Sequence, residues 1–416
     1  MKKILALLMV LTLVVGMSVF TTSCGGEEEA ATGEEKLEAV AKEELKVGFI
    51  FLHDENSTYD KNFIDAAKAA CAEMGVEMVQ KTQIPESEAC YEAAIELIDV
   101  EGCSLIFADS FGHESFLMKA ALEYPEVQFC HATGTMAHDG GTEFESEIKN
   151  FNNAFAHIYQ GRYLAGVVAG MKLKEMIDTG KITAAQAKMG YVGAFTFAEV
   201  MSGYTSFYLG AKSIVPEVTM DVKFTGSWYD ETKEKQAAQA LIDGGCVLIS
   251  QHADSMGAPT ACEAAGVPNV SYNGSTAAAC PETFLISSRI DWTPYFKYII
   301  QQAIDGKAID ADWAGDLKNG SVALTELGKS VAPGTAEKLE EVKAKLISGE
   351  LNVFDTANFT VGGKKLESYM ADVNTDKDFT PDTEAIENGI FYESKHRSGP
   401  YFNIEIDGIT LLDRAY

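Results

Sequence analysis

The sequence predicts an α/β protein of two lobes, each a parallel sheet flanked by helices. Short β-rich runs alternate with longer runs of helical spacing along most of the chain, which is typical of parallel sheets covered by helices. The chain has 416 residues, whereas a single hydrophobic core stops growing at about 250–300 residues. A Gly-, Ser- and Ala-rich stretch at residues 273–279 indicates a crossing between the lobes, and therefore a hinge.

Two series of alternating elements support this division. The first series predicts strands at residues 46–52, 76–80, 104–108 and 127–132, separated by helices at 62–74, 87–99 and 114–123. The second begins with a helix at 158–176 and predicts strands at 188–194, 218–225, 246–251 and 269–272, with helices at 200–211, 231–244 and 256–265. A strand at 283–290 and a helix at 294–305 are predicted to return to the first lobe.

We therefore divide the chain into two lobes and an extension. The first lobe comprises residues 46–150 and about 276–310, and the second comprises residues 151–275 and about 311–362. Residues 363–416 form a C-terminal extension for which the pattern predicts no position.

The first residues have the composition of an export signal. Two lysines precede an apolar run at residues 4–15, which is too short for a stable membrane span. Small residues then precede Cys24, as in the lipobox of bacterial lipoproteins, although Thr21 stands where leucine is usual. We expect a signal peptide over residues 1–23, lipidation of Cys24, and an acidic tether over residues 24–45. This predicts a protein anchored by lipid on the extracytoplasmic face of the cell membrane.

Charge and cysteine usage exclude several classes of partner and cofactor. The chain has 62 acidic and 33 basic residues and a formal net charge of −29, so its field repels phosphate backbones and excludes nucleic acid as a partner. The seven cysteines besides Cys24 contain no CxxC pair for zinc or redox chemistry, and their pairing is left open. We predict a monomer without a metal or other cofactor.

Polar and aromatic residues follow strand after strand of both predicted sheets. Ligands bind at the carboxyl edge of open α/β sheets, so two such edges facing each other would form one ligand cleft that closes around a small molecule. The candidate ligand-binding residues share this position: Asp54, Asn56, Thr58, Tyr59, Ser110, Phe111, Trp228, Asp254, Asn273 and Trp292.

Five stretches of the chain resemble the basic membrane protein family of substrate-binding lipoproteins, which includes purine nucleoside receptors. They are residues 105–112 (LIFADSFG), 124–134 (YPEVQFCHATG), 159–170 (YQGRYLAGVVAG), 226–234 (GSWYDETKE) and 240–254 (ALIDGGCVLISQHAD). The resemblance implies a two-lobed periplasmic-binding-protein fold of type I with three hinge crossovers. It also implies delivery of a purine nucleoside or nucleobase to the separate permease and ATPase of an ABC importer.

The resemblance further implies roles for single residues. Aromatic rings of both lobes would enclose the purine, near Tyr59 or Ser57 and at Trp228, with Asp54 and Asn273 bonding its edge. Where nucleoside receptors have a lysine for the ribose, this chain has Ile290, which favours a nucleobase or an altered sugar contact.

Other functions of the same fold remain open from the sequence. A sugar or a signalling molecule is the nearest alternative ligand, and a sensory receptor would differ only in its membrane partner. An enzyme such as a nucleoside hydrolase would need an acid, base or metal cluster, and the sequence has no such cluster, so we predict a binding protein without catalysis.

Overall fold

The computed structural model describes residues 39–137, 148–373 and 380–416. The predicted signal peptide, Cys24 and most of the predicted tether lie outside the described residues. Within the described ranges, no helix combines the length and the apolar character needed to span a membrane.

Strands and helices alternate through the first half of the chain, as the sequence predicts. The elements are β1 (Lys46–Ile50), α1 (Thr58–Met74), β2 (Glu77–Lys81), α2 (Glu88–Asp99), β3 (Leu105–Ala108), α3 (Glu114–Glu123), β4 (Gln128–Ala132), β5 (Phe151–Ala156), α4 (Ile158–Asp178), β6 (Lys188–Gly193), α5 (Ala198–Lys212) and β7 (Thr219–Phe224). Helix α1 illustrates why the boundaries fall where they do. The Ser57 side chain accepts a hydrogen bond from the backbone N–H of Asp60 at its start, and Gly75 ends it with a positive φ of 68°.

The alternation continues to residue 348 and then gives way to short strands. The elements are α6 (Glu231–Asp243), β8 (Leu248–His252), α7 (Gly257–Ala265), β9 (Asn269–Tyr272), β10 (Phe284–Ile290), α8 (Thr293–Asp305), β11 (Asp312–Gly315), β12 (Val322–Leu324), α9 (Thr335–Ser348), β13 (Met370–Ala371), β14 (Thr383–Glu384), β15 (Ile386–Glu387), β16 (Ile390–Phe391) and β17 (Ile409–Leu411).

Two large sheets form the two lobes. The first sheet has the order β11-β5-β4-β3-β1-β2, and its paired strands are parallel. The second has the order β12-β10-β9-β8-β6-β7-β17, with parallel pairing except between β10 and β12. This arrangement confirms the predicted fold class of two parallel sheets flanked by helices.

The strands cross between the sheets at places that differ from the predicted lobe boundaries. Strand β5 pairs with β4, so the chain leaves the first sheet only after residue 156 rather than at 151. Strand β10 pairs with β9, so residues 273–279 stay in the second lobe and are not a crossing. Among the described residues, the chain changes sheet three times: through α4, between β10 and β11, and between β11 and β12.

Helix α4 packs unusually close to α5 at two glycines. A Cβ added to Gly166 would clash with the backbone carbonyl oxygen of Phe207, and one added to Gly210 would clash with that of Tyr163. Gly166 belongs to the run of small residues at 159–170, which the sequence predicts to lie near another backbone. The structure confirms this close approach.

The C-terminal extension packs on both lobes. Strand β17 pairs in parallel with β7 at the edge of the second sheet, where Ile409 lies opposite Met220. On the first lobe, the backbone N–H of Ser398 donates to the Oδ1 of Asp312 at 2.5 Å. The described residues of the extension therefore belong to the fold and contact both lobes.

Candidate ligand site between the lobes

A pocket lies between the carboxyl edges of the two sheets, where the sequence predicts the ligand cleft. It contains about 350 Å³ of space between atoms, part of which is open to solvent. Its lining from the first lobe is Leu52, Tyr59, Ser110, Phe111 and Thr133, and its lining from the second lobe is Glu199, Trp228, His252, Asp254 and Tyr272. Both lobes therefore contribute to a single site.

Direct bonds join the lobes beside this pocket. The backbone N–H of Thr58 donates to the carbonyl oxygen of Asp254 at 3.1 Å. The Nδ2 of Asn62 donates to the Oδ1 of Asn273 at 3.0 Å, and this pair is buried. The rings of Phe111 and Phe197 also meet across the cleft, with centroids 5.4 Å apart. The two lobes are thus in the closed arrangement.

Aromatic side chains from both lobes wall the pocket and are held in place by their neighbours. The Tyr59 hydroxyl donates to the carbonyl oxygen of Asp109 at 2.7 Å, and its ring packs edge-on to Phe63 with centroids 4.8 Å apart. The Trp228 ring packs edge-on to Phe195 with centroids 5.0 Å apart. Because these contacts fix the rings before binding, less side-chain entropy is lost when a ligand is bound.

Burial shifts two polar groups of the pocket toward their uncharged forms. Burial raises the pKa of Asp254 well above its usual range, and the carboxylates of Asp60, Glu234 and Glu199 raise it further. Burial lowers the pKa of His252, whose Nε2 lies 3.4 Å from the Oε1 of Glu199. A protonated Asp254 carboxyl can both donate and accept hydrogen bonds, as can a neutral imidazole.

The Tyr272 hydroxyl adds a further polar group to the pocket. It is buried and has no hydrogen-bond partner within the described part of the chain. A buried polar group without a partner costs about 1–3 kcal/mol. A ligand that bonds this hydroxyl would remove that cost, which makes Tyr272 a candidate ligand-binding residue.

Five of the ten predicted ligand-binding residues come together in the pocket lining. They are Tyr59, Ser110, Phe111, Trp228 and Asp254. The other five do not line it. Asp54 and Asn56 bond each other near the surface, with Asn56 Nδ2 2.8 Å from Asp54 Oδ1. Thr58 and Asn273 instead form the direct bonds between the lobes.

Trp292 is the clearest departure from the predicted site. Its side chain is 1% exposed and stacks on Phe63 at a centroid distance of 4.5 Å, inside the hydrophobic core. Ile290, at the position where the resemblance implies a ribose-binding lysine in other receptors, is 2% exposed within β10 and also lies outside the pocket lining.

Five pocket residues were not among the predicted ligand-binding residues: Leu52, Thr133, Glu199, His252 and Tyr272. Thr133, His252 and Tyr272 stand at or just after the ends of β4, β8 and β9, so the strand-end pattern contained the signal for them. Glu199 lies in the first turn of α5, and Leu52 is aliphatic. Neither has a sequence signal that separates it from an ordinary helix or core residue.

The described ranges contain neither a cluster of metal-binding side chains nor a disulfide bond. There, no group of three or more His, Cys, Asp or Glu side chains is arranged to hold a metal ion. The seven cysteines of the described residues are buried and unpaired. The groups that the pocket offers to a ligand are mainly aromatic rings and hydrogen-bonding side chains.

The fold of two hinged parallel-sheet lobes with a pocket between them is shared with solved solute-binding proteins of ABC transporters. A solute-binding protein from Aeropyrum pernix shares the fold, with a TM-score of 0.58 and 19% identity over 74% of this chain and 92% of that one. A solute-binding protein from Conexibacter woesei gives a TM-score of 0.57 and 22% identity over 74% of this chain and 98% of that one.

The family follows from the sequence comparison. Residues 50–357 match the family model described as ABC transporter substrate-binding protein PnrA-like, and the chain belongs to this family. A purine-binding protein of Brucella abortus is 33% identical over 324 residues, which cover 76% of this chain and 85% of that protein. A putative ABC transporter glucose-binding protein of Haloferax volcanii is 31% identical over 61% of this chain and 60% of its own length.

Membership of the family establishes the general role. The protein is a substrate-binding component of an ABC transporter, a role of binding rather than catalysis. Proteins of this class work outside the cytoplasm.

Proposed function

We propose that this protein binds a purine nucleoside or nucleobase and delivers it to the permease and ATPase of an ABC importer, while a lipid on Cys24 anchors it to the membrane. The observation that carries the proposal is the pairing of aromatic walls from both lobes, Tyr59 and Phe111 on one side and Trp228 on the other, in one closed pocket.

The physical properties of the pocket suit a flat heterocycle. A purine offers two π faces, and a base stacked on an aromatic side chain gains about 1–3 kcal/mol. Its edge carries donors and acceptors, which Asp254, His252 and Tyr272 can match from within the pocket.

Two relatives support a purine as the ligand. The Brucella abortus protein is named a purine-binding protein. A protein of Lactococcus lactis that is 25% identical over 52% of this chain and 57% of its own length is named an ABC transporter nucleoside-binding protein. The anchor at Cys24 and the identity of the membrane partners rest on the sequence and on the family resemblance.

Calorimetric titration of the protein lacking residues 1–24 tests the proposal. The panel is adenosine, guanosine, inosine, adenine, ribose and glucose. We expect a purine to bind saturably, and Trp228→Ala to weaken that binding about 10- to 100-fold, because the variant loses one stacking face. The matched control is Trp313→Ala, which removes a half-buried tryptophan of β11 that is not part of the pocket lining.

The same panel decides between a purine and a sugar. A sugar ligand is favoured by one observation, the name of the Haloferax volcanii relative as a putative glucose-binding protein. If glucose or ribose binds and no purine does, the purine assignment is wrong. Equal loss of purine binding in Trp228→Ala and Trp313→Ala would mean that the pocket is not the site.

A further inference from the structure

A second cavity adjoins the pocket, and the C-terminal extension forms part of its wall. We name it the outer chamber; it contains about 790 Å³ of space between atoms, part of which is open to solvent. It shares Phe111, Thr133 and Glu199 with the pocket, so the two cavities meet along one boundary. The remaining lining is Thr135, Thr196, Phe197, Ala198, Arg397, Gly399, Pro400 and Asn403.

The extension is fixed firmly enough to form a binding surface. Beside Arg397, the Ser398 backbone bonds Asp312 of the first lobe, and a Cβ added to Gly399 would lie only 2.7 Å from the carbonyl oxygen of Gly134. On the second lobe, the Ala415 backbone N–H donates to the Oγ1 of Thr196 at 3.0 Å. The wall is therefore held from both sides of the cleft.

The outer chamber presents hydrogen-bonding groups that other side chains do not use. Within the described part of the chain, the side chains of Thr133, Thr135 and Asn403 make no hydrogen bond to the protein, and that of Asn403 is exposed at the mouth of the chamber. Two hydroxyls and one amide offer both donors and acceptors. This combination suits a ligand group that also has donors and acceptors, such as a sugar hydroxyl.

The charges around the chamber disfavour an anionic group. Arg397 is the cation of the lining, but the carboxylates of Asp372, Asp312 and Glu114 lie close enough to interact with it electrostatically. Glu199 adds a carboxylate to the lining itself. A phosphate would meet more negative than positive charge here, whereas a neutral sugar would meet no net repulsion.

We propose that the outer chamber receives the ribose of a purine nucleoside whose base occupies the pocket, with Asn403 and Thr135 as hydroxyl-binding residues. This inference rests on the proposed function and narrows its ligand to the nucleoside. The family match ends at residue 357, so Asn403 lies in a segment outside the family model. The extension thus supplies sugar recognition although Ile290 replaces the lysine expected from the family resemblance.

Matched pairs of nucleoside and base test the inference. Adenosine with adenine, guanosine with guanine, and inosine with hypoxanthine are titrated calorimetrically into the wild type, Asn403→Ala and Thr135→Ala. We expect the wild type to bind the nucleoside of a pair more tightly than the base. Each variant is expected to lower nucleoside affinity about threefold to tenfold, the usual effect of one lost hydrogen bond, and to leave base affinity unchanged.

A matched control is Asn358→Ala, because Asn358 is an exposed asparagine of the same C-terminal region that does not line either cavity. Equal affinity of the wild type for nucleoside and base, or an equal loss of both in Asn403→Ala, overturns the inference and leaves the purine assignment intact. Tighter binding of adenosine monophosphate than of adenosine also overturns it. If no purine or nucleoside binds at all, the proposed function itself fails.

Discussion

Glu393 is a carboxylic acid inside the contact between the extension and the second lobe. Its side chain is 2% exposed, and one carboxyl oxygen accepts a hydrogen bond from the Ser202 hydroxyl of α5. The other oxygen has no partner among the described residues. Burial raises the pKa of Glu393 to about 8, and the carboxylate of Glu199 contributes to this increase. The folded protein therefore holds this group in its neutral form at pH 7.

This raised pKa makes stability depend on pH in a defined direction. In the unfolded chain Glu393 returns to its ordinary pKa of 4.5. The stabilisation from its neutral form is complete below that pH and is lost as the pH rises through about 8. We expect the free energy of unfolding of Glu393→Gln to fall less than that of the wild type between pH 5 and pH 9, measured by urea denaturation.

The control for this measurement is Glu405→Gln, which changes an exposed glutamate of the same extension that pairs with Arg414. It is expected to keep the wild-type pH dependence. If Glu393→Gln follows the wild-type curve at every pH, Glu393 ionises at an ordinary pH and does not hold the extension in this way.

At the residue scale the sequence could predict which positions face the cleft edge but not how deep each side chain lies. Tyr59 and Trp228 each come after a strand in the sequence, and both line the pocket. Trp292 also follows a strand, yet it packs into the core because Phe63 of α1 lies against it. That partner is more than 200 positions away in the sequence, so no local pattern identifies it.

The pair of helices α4 and α5 shows how glycine sets a distance between elements. Because Gly166 and Gly210 have no Cβ, each helix lies directly against the backbone of the other. Helix α4 also carries the chain from the first sheet to the second. Its position therefore affects the packing of the second lobe and the geometry of the hinge.

We expect Gly166→Ala to reduce the free energy of unfolding by about 2 kcal/mol, because overfilling a packed interior forces the backbones apart. Gly161→Ala is the control within the same helix. Its added Cβ would lie 2.9 Å from the Cγ1 of Val322 and 3.2 Å from the Cβ of Ser288, a smaller overlap than the one with the Phe207 carbonyl oxygen at Gly166, so we expect a smaller loss. Urea denaturation of both variants measures the difference. Equal losses would show that the close backbone approach has no special cost.

Sequence patterns predicted most of the elements and misplaced some of their partners. The sequence pattern of β10 is that of a buried strand and would fit either lobe. Its pairing with β9 places it in the second sheet. The extension has short strands of two or three residues. Such strands are too short for an alternating pattern to be distinguished from a loop, so its position across the cleft had no sequence signal.

At the scale of the whole molecule, the bond between Asn62 and Asn273 connects the lobes outside the pocket. Neither residue lines the pocket, and their bond of 3.0 Å joins α1 of the first lobe to the residue after β9 of the second. Opening the cleft must break this bond. It therefore stabilises the closed arrangement without any contact to the ligand.

We expect Asn62→Ala to increase the dissociation rate of a bound purine about threefold to tenfold, since one buried hydrogen bond of the closed form is lost. Stopped-flow fluorescence measures this rate, and small-angle X-ray scattering measures the fraction of opened molecules. Asn358→Ala serves again as the surface control. An unchanged dissociation rate together with an unchanged scattering profile would show that this bond does not contribute to closure.

Strand β17 has a consequence for the newly made chain. It pairs with β7 at the edge of the second sheet, and β7 is synthesised about 190 residues earlier. This pairing therefore cannot form until the end of the chain has been made, and contacts of such large sequence separation form slowly. Until then β7 presents a row of unpaired backbone groups, the kind of surface that promotes aggregation. A nascent or truncated product that stops before residue 409 would carry this open edge and be a natural target for chaperones and quality-control proteases.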